Sequence, residues 1–106
     1  MSGSSGGPWV PPTNDKCETL AQHTILNSPN KAVLADIKKG DELTVEVRTV
    51  GKAVVVQALH DGKVAGSITS SIIQRLAECV EQGYRYVAEV TEDVRGGVCK
   101  VHVHVK

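Results

Sequence analysis

One amphipathic helix set between two groups of apolar runs is the feature that most limits what this chain can become. Within residues 71–83, SIIQRLAECVEQG, Ile72, Leu76 and Val80 recur at four-residue intervals, and Ile73, Ala77 and Cys79 widen the same stripe. Gln74, Arg75, Glu78, Glu81 and Gln82 take the other side, so one face is built for burial. Ser71 followed by Gln74 suggests a capping box, in which each side chain satisfies a first-turn donor. Gly83 can enter the left-handed conformation that closes the last turn.

Strand periodicity brackets this helix. Leu43, Val45 and Val47 alternate with Thr44, Glu46 and Arg48, the period of a strand buried on one face. Residues 53–59 are an almost continuous apolar run with β-branched Val54, Val55 and Val56, suited to a central strand. Asp61-Gly62 is a hairpin signal, because both central positions of a type I′ turn need positive φ. It returns the chain into residues 63–68, where Gly66 marks a bulge or a bend. After the helix, residues 84–91 and 98–105 form a second hairpin around 92–97. In its last strand Cys99, Val101, Val103 and Val105 face one way, and Lys100, His102, His104 and Lys106 face the other.

The order β-β-β-α-β-β predicts an α+β domain, a small five-stranded antiparallel OB-like or SH3-like barrel with one helix between strands three and four. An open sheet over one helix has the same element order, but five short strands twist enough to curl.

Ahead of this core the pattern is weaker. Residues 1–14, MSGSSGGPWVPPTN, are rich in Gly, Ser and Pro and read as a disordered tail or linker, leaving 15–106 as a single domain with an N-terminal extension. Trp9, held between prolines, suits docking into an apolar groove of its own domain or of a partner. Residues 15–27 are ambiguous: Asp15 could cap a short helix carrying Leu20 and Ala21, whereas Thr24, Ile25 and Leu26 suit a strand. One or two helical turns is the preferred reading. Asn27-Ser28-Pro29-Asn30 is a turn, with a second helical turn over 31–37 and a tight turn at Lys39-Gly40-Asp41.

Charge and cysteine content bound the function classes. Lys plus Arg and Asp plus Glu are both 12, so the chain lacks the bulk positive charge of non-specific nucleic-acid binders, and any such site must be a local patch. Three cysteines without regular spacing read as buried free thiols in a reducing compartment. With no signal-peptide pattern and no apolar run long enough to cross a membrane, the expectation is a cytoplasmic protein with no membrane partner.

Catalysis finds little support. There is no Gly-flanked nucleophile motif, and Ser70 and Ser71 are explained by capping. Arg95-Gly96-Gly97 joins two strands rather than a strand and a helix, so it is not a phosphate-cradling loop. No cofactor is expected, and the domain reads as non-enzymatic.

A metal site meets a geometric objection: on a strand Cys99 and His102 point to opposite faces, which leaves only His102 and His104 together. His23 or Cys17 would have to fold over to complete a site, and none is expected. The line Lys100, His102, His104 and Lys106 is either a solvated strand face or a basic stripe that Arg48 and Lys52 could join for phosphate contact. Tyr84 and Tyr86 share a face and offer two rings for stacking bases, or else form the edge of the core.

At these residues the chain resembles the HIRAN domain family. The resemblance runs over residues 40–105: Gly40-Asp41-Glu42-Leu43 leading to Arg48, Ala53-Val54-Val55-Val56, Asp61-Gly62-Lys63-Val64-Ala65-Gly66-Ser67-Ile68, and a helix ending in Gly83. It implies an OB-like barrel and recognition of DNA, in some members the 3′ end of a single strand, within or beside repair and remodelling enzymes. Two departures fall in or near the family's ligand pocket. Thr49-Val50-Gly51-Lys52 stands where an Asn-Pro-x-Asp segment is typical, and Ser67 stands where an aromatic follows the second Gly.

The sequence thus points to a non-catalytic nucleic-acid-binding module for single-stranded DNA or DNA ends, using Arg48, Lys52, Lys100, His102 and His104 on phosphates and Tyr84 with Tyr86 on bases. The alternative is a protein-interaction or homodimerisation module working through a strand edge or the Trp9 segment. A domain cut from a larger enzyme would also lack catalytic residues.

Overall fold

The computed structural model describes residues 16–106, so the tail, Trp9 and the Asp15 cap lie outside the described residues. A 3-10 turn at Cys17–Thr19 leads into β1 (Gln22–Ile25), then α1 (Lys31–Leu34), β2 (Glu42–Val50), β3 (Ala53–His60), β4 (Lys63–Ile68), α2 (Ile73–Glu81), β5 (Tyr86–Val90) and β6 (Lys100–Val105). All pairings are antiparallel, in the order β1-β6-β5-β2-β3-β4.

The sheet therefore has six strands rather than the five expected. The extra one is β1, in the segment where a helical turn had been preferred; that turn is confined to Cys17–Thr19. Gln22–Ile25 alternates half-buried and exposed residues and pairs with β6, so a tertiary partner decides a stretch whose local preference is weak.

The sheet curls into a half-barrel, and the two ends of the strand order meet beyond β1. There Asn27 and Ser67 exchange both backbone hydrogen bonds, each 2.8 Å, in an isolated antiparallel bridge. The Asn27 amide also donates to the Thr69 hydroxyl. Gly66 makes this approach possible: a Cβ there would lie 2.9 Å from the Leu26 Cβ and 3.1 Å from the Asn27 carbonyl oxygen.

The irregularity expected near Gly66 is a β-bulge. Ala58 pairs with Gly66 but Leu59 pairs with Val64, leaving Ala65 as the extra residue. The Ala65 carbonyl, freed from the ladder, accepts from the Asn30 N–H at 2.9 Å, and Asn30 in turn caps α1 through its side chain. The Asp61-Gly62 turn forms as expected, with φ of 51° and 80°.

Leu43, Val56, Ile68, Val90, Val101 and Val103 fill the inner face of the sheet, and Leu76 and Cys79 of α2 pack into the same core. The helix starts two residues later than expected, and the Ser71/Gln74 capping box does not form. Ile72 occupies the N-cap position with no side-chain bond to the backbone, and the Ile73 N–H reaches the Ser70 carbonyl instead. The C-terminus follows expectation. Gly83 has φ +103°, its N–H donates to the Val80 carbonyl, and the Tyr84 N–H donates to the Cys79 carbonyl, which together make a Schellman closure.

The cysteine reading needs correction. Cys17 and Cys79 form a disulfide, and only Cys99, fully buried, is a free thiol. The pairing was invisible in the spacing because the two residues are 62 positions apart. Bonded cysteines belong to oxidising surroundings, so cysteine content no longer argues for a reducing compartment. Among the described residues no helix is long and apolar enough to cross a membrane.

Candidate ligand-binding face

Antiparallel register places on one face side chains that are remote in sequence. His23 of β1 lies opposite His102 of β6, which lies opposite Glu89 of β5, which lies opposite Glu42 of β2. This row points away from the core, since the neighbouring row of Leu43, Ala88 and Val103 is fully buried. His104 projects on the same outer side two residues from His102.

The imidazoles are in contact. The rings of His23 and His102 stack at 4.1 Å between centroids and 10° between planes, and His104 is tilted against His102 at 5.0 Å. His104 Nε2 lies 3.5 Å from Glu89 Oε1, and His104 Nδ1 lies 2.9 Å from the Val105 carbonyl oxygen. His102 is pushed below the ordinary histidine pKa, first by burial, then by its His23 and His104 neighbours, with Glu89 opposing. It is therefore neutral over most of the physiological range.

Beside this row Lys100, with its Nζ 3.5 Å from Glu92 Oε2, opens onto a groove of about 740 Å³. His23, Thr24, Ile25, Asn27 and Thr91 also line it.

Of the residues singled out from sequence, Lys100, His102 and His104 do share this face. Arg48 and Lys52 do not join them. Arg48 lies five residues beyond Leu43, whereas His104, the nearest of the three, lies one residue beyond Val103 in the same direction and two strands away, and Lys100 lies three residues before Val103. At about 3.3 Å per residue Arg48 is displaced along the strands by roughly 13 Å from His104 and on the order of 25 Å from Lys100. Arg48 pairs instead with Glu46 at 2.7 Å, and Lys52 sits in the β2–β3 turn. The expectation assumed that the Arg-bearing strand would meet the last strand, but β5 lies between them.

The tyrosines are also reassigned. Tyr86 is only 3% exposed, and its hydroxyl donates to the Cys17 carbonyl at 2.6 Å, so it belongs to the core and offers no ring to a base. Tyr84 donates to Glu18 Oε2 at 2.7 Å, and that bond to a carboxylate is the main reason its pKa is raised. Both hydroxyls hold the 3-10 turn that carries Cys17 against the start of β5.

Glu89 was not singled out from the sequence, and His23 was named only as a residue that would have to fold over toward His102 and His104. The alternation of Gln22, His23, Thr24 and Ile25 was the available signal for His23. Glu89 could have been placed only by its register against β6.

No protein-family model, curated protein or solved structure matches the chain.

Proposed function

We propose that this chain is a non-catalytic binding module, an OB-like barrel whose ligand is single-stranded nucleic acid lying across the outer β1–β6–β5 face. The observation that carries the reading is the contiguous set Lys100, His102 and His104, extended by His23 across the strand and flanked by the groove beside β1. Lysine and protonated histidine contact phosphate, and flat imidazoles offer planes to unstacked bases. The OB-like assignment is supported by a helix between the third and fourth of the strands from β2 onward, and by the fourth lying beside the first.

Amide-shift titration with single- and double-stranded oligonucleotides tests the proposal. Shifts should concentrate at His23, Lys100, His102 and His104, weaken with salt, and grow as the pH falls below the ordinary histidine range. An absence of shifts at low salt with either oligonucleotide rules it out.

A second reading, self-association through a strand edge, is favoured by β2. Among the described residues β2 pairs with β5 only through Glu42, Leu43 and Thr44, so the rest of that edge has no strand beside it, and Val50 at its tip is 63% exposed. A mass that rises with concentration in sedimentation, without oligonucleotide binding, supports this reading over the first.

A further inference from the structure

On the outer face His102 and His104, already assigned to the nucleic-acid reading, also form a second arrangement with Glu89. One ligand atom each from Glu89, His102 and His104 lies within 4.8 Å of the other two, on side chains that are all partly buried. We propose that Glu89, His102 and His104 form a binding site for a divalent first-row transition ion such as Zn²⁺, with the remaining coordination positions open to solvent or to a ligand.

Three observations carry it. The first is the donor set: two imidazoles and one carboxylate on a single face suit Zn²⁺ and its neighbours rather than Mg²⁺ or Ca²⁺, which take oxygen ligands.

The second is the orientation of His104. The Val105 carbonyl can only accept, so the Nδ1 facing it at 2.9 Å carries the proton. In neutral His104 the Nε2 lone pair therefore faces a carboxylate oxygen 3.5 Å away. A cation shared by the two atoms would satisfy both, as would protonation of Nε2 to give an ion pair with Glu89. Tetrahedral bonds of about 2.1 Å put neighbouring ligand atoms roughly 3.4 Å apart, which matches this pair. A backbone carbonyl holding the second nitrogen is also the usual way a metal-bound histidine is oriented.

The third is local charge. Glu42 and Glu89 are directly opposite across β2 and β5, a like-charge pairing that costs stability unless a cation sits nearby. The stacked His23 ring, 4.1 Å away and 10° from parallel, restrains the orientation of His102.

Cys99, which strand alternation turns away from His102, is fully buried on the inner side. The third ligand comes instead from the neighbouring strand.

The inference does not rest on nucleic-acid binding, because its test uses the ion alone. Calorimetric titration of tag-free protein with ZnCl₂ at neutral pH should show saturable binding of one ion, with shifts in the His102 and His104 ring resonances and none with MgCl₂. His104→Ala and Glu89→Gln should each weaken binding by about tenfold or more, given that even loss of an outer partner costs 10- to 100-fold. His60→Ala is the control: His60 lies on β3 beside Asp41 and Asp61, away from this face, and its loss should leave binding unchanged. An amide spectrum of each variant checks that it remains folded. Non-saturable binding to the parent protein, or unchanged affinity in a folded His104→Ala variant, overturns the site and leaves Glu89 and His104 as an ion pair only.

Discussion

Cys17 and Cys79 are joined by a disulfide that fastens the turn ahead of β1 to the C-terminal half of α2. Both cysteines lie in the core, and the hydroxyls of Tyr84 and Tyr86 bond to the same turn.

Closing a loop across 62 residues restricts the unfolded chain enough to contribute on the order of 4 kcal/mol in the chain-entropy account. A Cys17→Ser/Cys79→Ser variant should therefore unfold at a clearly lower denaturant concentration. Thiol counting checks the pairing independently. The native protein should react slowly if at all, because burial raises the pKa of Cys99. Denaturation alone should expose one thiol, and denaturation with reductant all three. Three reactive thiols without reductant would show that the disulfide is absent.

Gly66→Ala should destabilise the fold although the new group is a single methyl. Its Cβ meets the Leu26 Cβ at 2.9 Å and the Asn27 carbonyl at 3.1 Å, and neither can swing aside without moving the backbone bridge to Ser67. Overpacking of this kind costs about 1–3 kcal/mol, partly offset by the lower entropy of alanine in the unfolded chain. The expected net loss is about 1–2 kcal/mol, on the order of 10 °C in Tm for a domain of this size. An unchanged Tm would mean that the bridge between β4 and the end of β1 is not tight.

Both tyrosines should titrate late. Their pKa values are raised above 10.0, Tyr84 chiefly by its bond to Glu18 and Tyr86 chiefly by burial. A raised folded-state value favours the protonated form in the native protein. The associated stability is therefore complete below the unfolded value near 10 and disappears as the pH rises through the folded values. Ultraviolet absorbance titration is readable here because the chain has only two tyrosines. Tyr84→Phe should remove the transition attributed to the Glu18 contact and leave the other raised. Ionisation of either residue at the ordinary value, ahead of unfolding, would contradict these contacts.

Much of the fold from β2 onward is legible from short-range pattern. Alternation marks β2 and β6, the Asp61-Gly62 pair marks the β3–β4 hairpin, and Gly83 marks the end of α2. These signals lie within a few residues of what they specify. The segment ahead of them resists the same treatment because its structure is imposed from a distance. β1 is a strand by virtue of β6, and the Cys17–Thr19 turn is held by Cys79, Tyr84 and Tyr86.

The candidate face divides along the same line. Lys100, His102 and His104 alternate on one strand and were found, whereas His23 and Glu89 reach that face only through strand register. Arg48 failed to join because β2 neighbours β5 rather than β6, a fact of strand order that no local pattern encodes.

The pairing of β1 with β6 sets a schedule for synthesis. β2, β3 and β4 can fold as a meander while the ribosome is still adding α2, but β1 has no ladder to join until Lys100–Val105 has emerged. Until then β1 lacks the strand partner that the finished fold supplies. Oxidation of Cys17 with Cys79 can occur before β6 arrives, and would then hold the early segment close to where its last partner must dock.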